Sequence, residues 1–467
     1  MDTAVVILAA GLGTRMKSKR AKVLHSAGGR ALVEHVVQAA RAVATPERIV
    51  VVTGHQAGEV EALLAPTGVQ FARQIEQKGT GHAVLCARKK LKRNDGLLMV
   101  LYGDTPLLSG ATVRALYEAQ RSIRSAAKPA ATLITTTLTD PTGYGRVILN
   151  ERGYVEAIVE HKAATPAQLE VNLINSGIYC FRADLLWKHI GEIEPNNPAR
   201  ELYLTDMAAI LTRHGHRVQQ FHLADASELL GINTRVELAE VDRILRARKT
   251  RELMLSGVTM ERPETVTVDP QVRVGGDTVI EPFVRLLGNT SIGEDCRIGQ
   301  GSILASAALA DRVTVAPYTL ISDSRVDPEA QVGPFARLRM DAQVGPDARV
   351  GNFVELKKTR LGAGSKSQHL AYLGDSDIGE RVNIGAGTIT CNYDGERKHQ
   401  TKIGAEAFVG SNSTLVAPLD IGAQSYVGAG SVITDDVPAK ALALGRGRQV
   451  LKPEWVADRK KRTSKKK

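Results

Sequence analysis

Up to about Arg235 the chain alternates short, β-branched apolar runs with stretches whose apolar residues return every three or four positions. The runs TAVVILAAG, ERIVVVTG, GLLMVLYGD and AATLITTTL are bounded by turn residues and predict strands, whereas ALVEHVVQAARAV and ATVRALYEAQRSI predict amphipathic helices between them. Such alternation implies an α/β domain, a mostly parallel sheet with helices on both faces. Ligands in that architecture sit at the carboxyl ends of the strands, where Gly11 and Asp104 fall. From Thr234 to about Ser256 the sequence reads as one charged helix, with Gly257 as its C-cap.

Beyond that helix the period changes to six. Val274, Ile280, Leu286, Ile292, Ile298 and Leu304 form one register; Leu320, Val326, Val332, Leu338, Val344, Val350 and Leu356 a second; Ile403, Val409, Leu415, Ile421, Val427 and Ile433 a third. A hexapeptide repeat predicts a parallel β-helix, in which each short strand turns one aliphatic residue inward and three strands complete a triangular coil. Glycines follow many of these aliphatics, as in Ile292-Gly293 and Ile403-Gly404, and are read as permitting the turns. Segments near Ala305 to Thr319, Thr359 to Asp377 and Cys391 to Lys402 break the register, so loops are expected to leave the prism there. The division that follows is residues 1–235, a linker helix at 236–257, a β-helix at 258–450 and a basic tail at 451–467.

The net charge of +11 is unevenly spread: the last ten residues carry seven Lys or Arg against Asp458, or +6 of the total. The tail is expected to be a solvated, disordered end, and the small remaining excess suits phosphorylated substrates as well as nucleic acid. Salt-sensitive nucleic-acid binding through the tail is the competing reading. Cys86, Cys180, Cys296 and Cys391 show no CxxC spacing and are expected to be reduced thiols. No signal-peptide pattern and no run of roughly 20 apolar residues is present, so a cytoplasmic location without membrane insertion is expected.

The turn GLGTR after the first strand fails both the G-x-G-x-x-G fingerprint and the P-loop pattern. It supplies backbone N–H groups able to face phosphates, followed by the cations Arg15 and Lys22. Alone it reads equally as an ordinary strand-to-helix turn. Its company changes that: LAAGLGTRM and AKVLH, QKGTGHA, LYGDTPLL, GYGRV, IVEHKAA and INSGIY occur in this order. Together they resemble the sugar-phosphate nucleotidyltransferases. With the hexapeptide half attached, nearly the whole chain resembles the bacterial bifunctional N-acetylglucosamine-1-phosphate uridylyltransferase/glucosamine-1-phosphate acetyltransferase family.

The resemblance implies a Rossmann-like α/β nucleotidyltransferase domain followed by a left-handed parallel β-helix. It implies acetyl-CoA-dependent acetylation of glucosamine-1-phosphate, then Mg²⁺-dependent uridylyl transfer from UTP. Leu8, Ala9, Ala10 and Gly11 would line the nucleotide, Arg15 and Lys22 act on its phosphates, and Gln74, Gly79 and Thr80 hold the uracil. Tyr102, Gly103, Gly145, Glu160 and Asn175 would hold the sugar, and Asp104 and Asn233 the Mg²⁺, which favours hard oxygen ligands. On their own, Asp104-Thr105-Pro106 also reads as a helix start and INTR, around Asn233, as the end of a strand.

In the β-helix, His369 within GSKSQHLAYLGD matches the family's general base, with Glu355 orienting it and Asn392 catalytic beside it. Arg339, Lys357, Tyr372, Asn383 and Lys398 would bind the amino-sugar phosphate; Ala386, Asn392, Tyr393, Ser411, Ala429 and Arg446 would contact acetyl-CoA. The family resemblance also implies a homotrimer. Three departures from the family's pattern stand out: Ala21 in place of proline, Met340-Asp341 in place of Pro-Gly, and Arg448 as a rival to Arg446. A nucleotidyltransferase whose β-helix only assembles the protein is the alternative function.

Overall fold

The computed structural model describes residues 3–91, 96–121, 128–197 and 200–464. The chain forms two compact units, Met1–Arg246 and Ala247–Lys467.

The first unit is built on a sheet of strands β1 (Thr3–Ala9), β2 (Ile49–Thr53), β3 (Gln70–Arg73), β4 (Leu97–Tyr102), β5 (Ala131–Thr137), β6 (Arg146–Leu149), β7 (Val155–Val159), β8 (Leu173–Arg182) and β9 (Val218–His222). The order is β9-β5-β8-β4-β1-β2-β3, with the hairpin β6–β7 joined to β8. Strand β1 is buried along its whole length, so successive side chains feed opposite layers: Ala4, Val6 and Leu8 enter one apolar core, and Val5, Ile7 and Ala9 the other. The helices Leu32–Ala40 and Gly110–Arg121 present their apolar stripes to one of those layers, as the 3.6-residue spacing predicts.

The sheet is mostly parallel, as expected, but β8 runs antiparallel to both β4 and β5. It carries a register shift between Asn175 and Tyr179. Gly177 lies in that shift at φ +79, and a Cβ there would stand 2.6 Å from the ring of Tyr102. Glycine is required at this point so that Tyr102 can pack against the strand.

The charged helix spans Arg235–Leu255. Its end is a Schellman motif: Val258 N–H donates to Leu253 C=O at 3.1 Å, Gly257 N–H to Met254 C=O at 3.2 Å, and Gly257 sits at φ +100.

In the second unit each short strand pairs in parallel with the third strand after it, except at the last step, where Tyr426–Val427 pairs with Leu442–Ala443 two strands on, and this produces three sheets of 11, 10 and 9 strands. This is the three-sided parallel β-helix that the hexad predicts. The inward aliphatics form one continuous core from Leu253 to Val437.

The structure corrects four details. Leu320 faces outward and Ile321 takes the interior position. The breaks at Ala305–Thr319 and Thr359–Asp377 send out no loops, because the coil is shortened there by one residue: Ser291 pairs with Ala308 and Arg360 with Asp377, seventeen residues on, against eighteen from Arg337 to Glu355. A corner absorbs a deletion of that size. Only the third break leaves the wall, where Ser376 pairs with Thr401 across twenty-five residues.

The glycine rule also changes. Gly404 has no left-handed φ; a Cβ there would lie 2.4 Å from the Ala423 nitrogen of the next coil. Glycines such as Gly404 are therefore selected by close stacking of coils, while left-handed corners are held partly by glycines, as at Gly333 with φ +103, and partly by residues such as Asp295 and Phe353. Lastly, the tail expected to be disordered contains the helix Trp455–Ser464, where the Arg459 guanidinium covers the Trp455 ring one turn away at 5.2 Å. Residues 465–467 lie outside the described residues.

Candidate active sites

Two adjoining cavities open at the carboxyl ends of β1 and β4. The larger, of about 520 Å³, is lined by the glycine turn from Leu8 to Thr14, by Lys22, and by Gln74, Gly79 and Thr80. The smaller, of about 340 Å³, is lined by Arg15, Gly145, Glu160 and Asn175. Tyr102, Asp104 and Asn233 belong to both.

The glycine turn is shaped by Gly13, at φ +60 with its α-carbon so close to Lys22 that a Cβ would approach within 2.7 Å. Lys22 then reaches the junction of the cavities. Its ammonium pairs with Asp104 Oδ2 and donates to Asn233 Oδ1 at 3.3 Å, while Arg15 Nη2 donates to the same oxygen at 2.9 Å. Ile232 N–H donates to Asp104 C=O at 3.0 Å, tying the two acceptor residues together. Asp104 therefore lies in a turn with its carboxylate in the site and does not cap a helix; the next helix starts at Gly110. Asn233 is not part of a strand either.

The walls are equally specific. Gly79 sits at φ +95 against Leu202 C=O, where a Cβ would be 2.6 Å away, and its own carbonyl accepts from Gln74 Nε2 at 3.0 Å. Gly103 N–H donates to Leu8 C=O at 2.9 Å. Burial, with Asp206 beside it, raises the Glu160 carboxyl above the usual range. Burial and the charges of Asp104 and Glu160 push the Tyr102 phenol far up, so it stays protonated.

In the β-helix the expected residues fall into two groups. Around a cavity of about 410 Å³, Lys357 Nζ meets Asp375 Oδ2 at 2.5 Å, and Asn392 Nδ2 donates to the same oxygen. Burial is the largest single influence and opposes both charges, but it is outweighed by the sum of their mutual hydrogen bond, the further hydrogen bonds from Lys398 and Asn392, and the attraction between the charges, so Lys357 is raised and Asp375 lowered. Lys398 also lines this cavity, and its closeness to Lys357 lowers its pKa. Arg339 and Tyr372 flank Lys357 and Glu355 in the same sheet.

The second group follows a corner. Asn352 pairs in register with His369, and Leu370 N–H donates to Asn352 C=O at 3.0 Å. Gly387 N–H then donates to His369 C=O at 3.3 Å, Asn412 N–H to Ala386 C=O at 2.7 Å, and Gly430 N–H to Ser411 C=O at 2.8 Å. The column ends where the Arg446 guanidinium donates to Ala429 C=O at 3.0 Å. His369, Ala386, Ser411, Ala429 and Arg446 therefore occupy one line up the prism. Asn383 lies on the sheet of His369, and Tyr393 in the loop pairs with Lys398. The expected orienting role of Glu355 is not seen within the chain: Glu355 accepts from Arg339 Nε at 2.6 Å, and His369 Nδ1 is 2.9 Å from Asn352 Oδ1.

Family models match both units: a MobA-like NTP transferase domain over residues 5–162, and bacterial transferase hexapeptide repeats over 271–306 with a hexapeptide repeat of succinyl-transferase over 400–435. Over its full length the chain is 57% identical to the bifunctional protein GlmU of Solibacter usitatus, covering 98% of this chain and 97% of that protein. It is 48% identical to that of Koribacter versatilis (99% and 98% covered) and 45% to that of Pelobacter propionicus (99% and 100%). The chain belongs to the GlmU family. As a member of that family it is a bifunctional transferase, an acetyltransferase and uridylyltransferase of UDP-N-acetylglucosamine synthesis, and its β-helix is of the left-handed, hexapeptide-repeat class.

Several residues that shape these candidate sites escaped sequence reasoning. Gln56, at φ +52, accepts the backbone N–H of Ala21 through its side chain, so the chain has a hydrogen bond where the family's usual proline would fix the backbone; Ala21 itself sits at φ −56. Glu237 accepts from the N–H groups of Asn233 and Thr234 at 2.6 and 2.8 Å. That contact was readable, because Thr234-x-x-Glu237 is a capping-box signature. Asn352 and Asp375 carried no such signal; only the coil register brings them to His369 and Lys357. The Met340-Asp341 departure places two non-glycine residues in succession at φ 56 and 63.

Proposed function

We propose that uridylyl transfer takes place at the junction of the two cavities in the first unit, and acetyl transfer along the exposed corner and the adjoining Lys357 cavity of the second. The observation that carries the first assignment is the convergence of the Asp104 carboxylate and the Asn233 amide oxygen on one cation, the Lys22 ammonium. Two hard oxygens already aimed at a positive charge fit Mg²⁺, which keeps few protein ligands and takes the rest from phosphates and water. Asp104 and Asn233 would hold the ion, and when bound it would neutralise charge on the triphosphate.

In this reading UTP lies in the larger cavity, with Leu8, Ala9, Ala10 and Gly11 against the nucleotide and Gln74, Gly79 and Thr80 at the uracil. The sugar phosphate lies in the smaller cavity among Tyr102, Gly103, Gly145, Glu160 and Asn175. A sugar-phosphate oxygen attacks the α-phosphorus and the bond to pyrophosphate breaks. The nucleophile is already an anion, so no general base is needed; Lys22 and Arg15 stabilise the charge that develops.

For acetyl transfer, His369 takes the proton lost by the sugar amine as it attacks the thioester carbonyl, and the coenzyme thiol leaves. Arg339, Lys357, Tyr372, Asn383 and Lys398 hold the amino-sugar phosphate, with Glu355, Asn392 and Tyr393 near the reacting carbon. Four coil steps separate His369 from Arg446, about 19 Å at the usual strand spacing, which suits an extended acetyl-CoA over Ala386, Ser411 and Ala429. The exposed, stacked rings of Tyr318, Phe335 and Phe353 beside this corner support assembly of the β-helix, in our reading as a trimer in the cytoplasm.

A pair of variants tests the division. Asp104→Ala is expected to abolish uridylyl transfer and leave acetyl transfer intact, whereas His369→Ala lowers acetyl transfer roughly 10²- to 10⁴-fold and spares uridylyl transfer. Coupled assays with glucosamine-1-phosphate and with N-acetylglucosamine-1-phosphate read the two steps separately. Equal loss of both activities in either variant would overturn the assignment.

A further inference from the structure

A cluster of metal-ligand groups lies in the first unit outside both cavities. The helix Ala183–His189 runs into the short turn Ile190–Glu192, and the helix Met207–Arg213 ends on His214, two residues before His216. His189 Nδ1 stands 2.7 Å from Glu192 Oε1, and His214 Nε2 stands 2.9 Å from Glu192 Oε2. One ligand atom from each of the three residues lies within 4.8 Å of the others. The His189 ring packs against His214 at 4.2 Å between centroids and against His216 at 5.7 Å.

Two further facts separate this cluster from an ordinary surface ion pair. The His189 side chain is 3% exposed, and its Nε2 is buried without a hydrogen-bond partner among the described residues. Glu192 presents one carboxylate oxygen to each of the two imidazoles, so the three side chains already face a common point.

We propose that His189, Glu192 and His214 form a binding site for a divalent transition-metal ion, Zn²⁺ foremost, with His216 beside it. Two imidazole nitrogens and one carboxylate oxygen are the ligand set of a borderline ion and contrast with the oxygen pair at Asp104 and Asn233. Tetrahedral coordination at about 2.1 Å places ligand atoms about 3.4 Å apart, so the contacts at Glu192 need open only by a fraction of an ångström. His216 or water would complete the shell. The ion would clamp the end of one helix to the end of another, so its role is structural.

Titration calorimetry of the intact protein with ZnCl₂ tests the site, run in parallel on Asp104→Ala, His214→Ala and Glu192→Gln, with Co²⁺ absorption as a probe of tetrahedral geometry. One equivalent is expected to bind, undiminished in Asp104→Ala and at least about tenfold weaker in the other two. Zn²⁺ should raise the Tm of the wild type and leave that of His214→Ala unmoved. His214 is exposed and lies outside both cavities, so unchanged Mg²⁺-supported uridylyl transfer certifies that its variant is folded. Absence of binding, or binding lost in Asp104→Ala and retained in His214→Ala, would overturn the proposal and leave the cluster a hydrogen-bonded triad.

Discussion

Asp375→Asn isolates one charge in the β-helix with almost no change of shape. The Lys357 and Asp375 side chains are 4% and 11% exposed and meet at 2.5 Å, so the pair is withdrawn from water and little screened. Removing one member of a buried pair leaves the other charge uncompensated and costs about 3–5 kcal/mol. Asparagine can still accept from Asn392 and Lys357, and it tolerates the left-handed φ of 48 at this corner, so the low end, about 3 kcal/mol, is expected.

The pH dependence follows from the directions of the two shifts. Asp375 is depressed, so its contribution is present above the unfolded carboxyl pKa of about 4 and is lost as pH falls through the lower folded value. Lys357 is raised, so its contribution is full below about 10 and fades as pH rises through the higher folded value. The stability gap between variant and wild type should form a plateau from about pH 5 to 10 and shrink on both sides. Urea unfolding followed by far-ultraviolet circular dichroism at several pH values measures the gap, with uridylyl transfer as a control for the other unit. A loss below about 1 kcal/mol at pH 7, or a gap that does not vary with pH, would refute the buried-pair argument.

Glu160 should behave in the opposite sense. Its carboxyl is raised by burial and by Asp206, so the protein loses stability as pH rises from the unfolded carboxyl value through the folded one. Glu160→Gln is therefore expected to melt above the wild type at pH 8 and together with it at pH 4, which a Tm series reads directly. Gln56→Ala should leave the buried Ala21 N–H without its acceptor and cost about 1–3 kcal/mol in chemical denaturation. Adding Ala21→Pro should restore part of that loss, since φ is already −56 and the donor is removed.

Most of the architecture was legible because each half has its own period. The strands β1, β2, β4 and β5 and the helices Leu32–Ala40 and Gly110–Arg121 coincide with runs that the apolar pattern marks. β8 was less legible: INSGIY was read for its chemistry, and an antiparallel insertion in the middle of a parallel sheet leaves no trace in local spacing. The register breaks were visible but their meaning was not. A missing residue and an inserted loop both interrupt a hexad, and only the ladder distinguishes a coil of seventeen residues from one of twenty-five.

The two candidate sites were legible to different degrees for the same physical reason. At the first, the groups meet through tertiary contacts between Lys22, Asp104 and Asn233, far apart in the chain, and motif resemblance alone could bring them together. At the second, the line from Asn352 through His369, Ala386, Ser411 and Ala429 to Arg446 is fixed by coil length: residues one coil apart are neighbours whatever their identity. That line survives the excursion after Cys391, because the longer step from Ala386 to Ser411 inserts a loop between strands and preserves the stacking of Asn383 on Phe408. A repeat of this kind specifies position along a ligand by counting, and leaves side-chain identity free to specify chemistry.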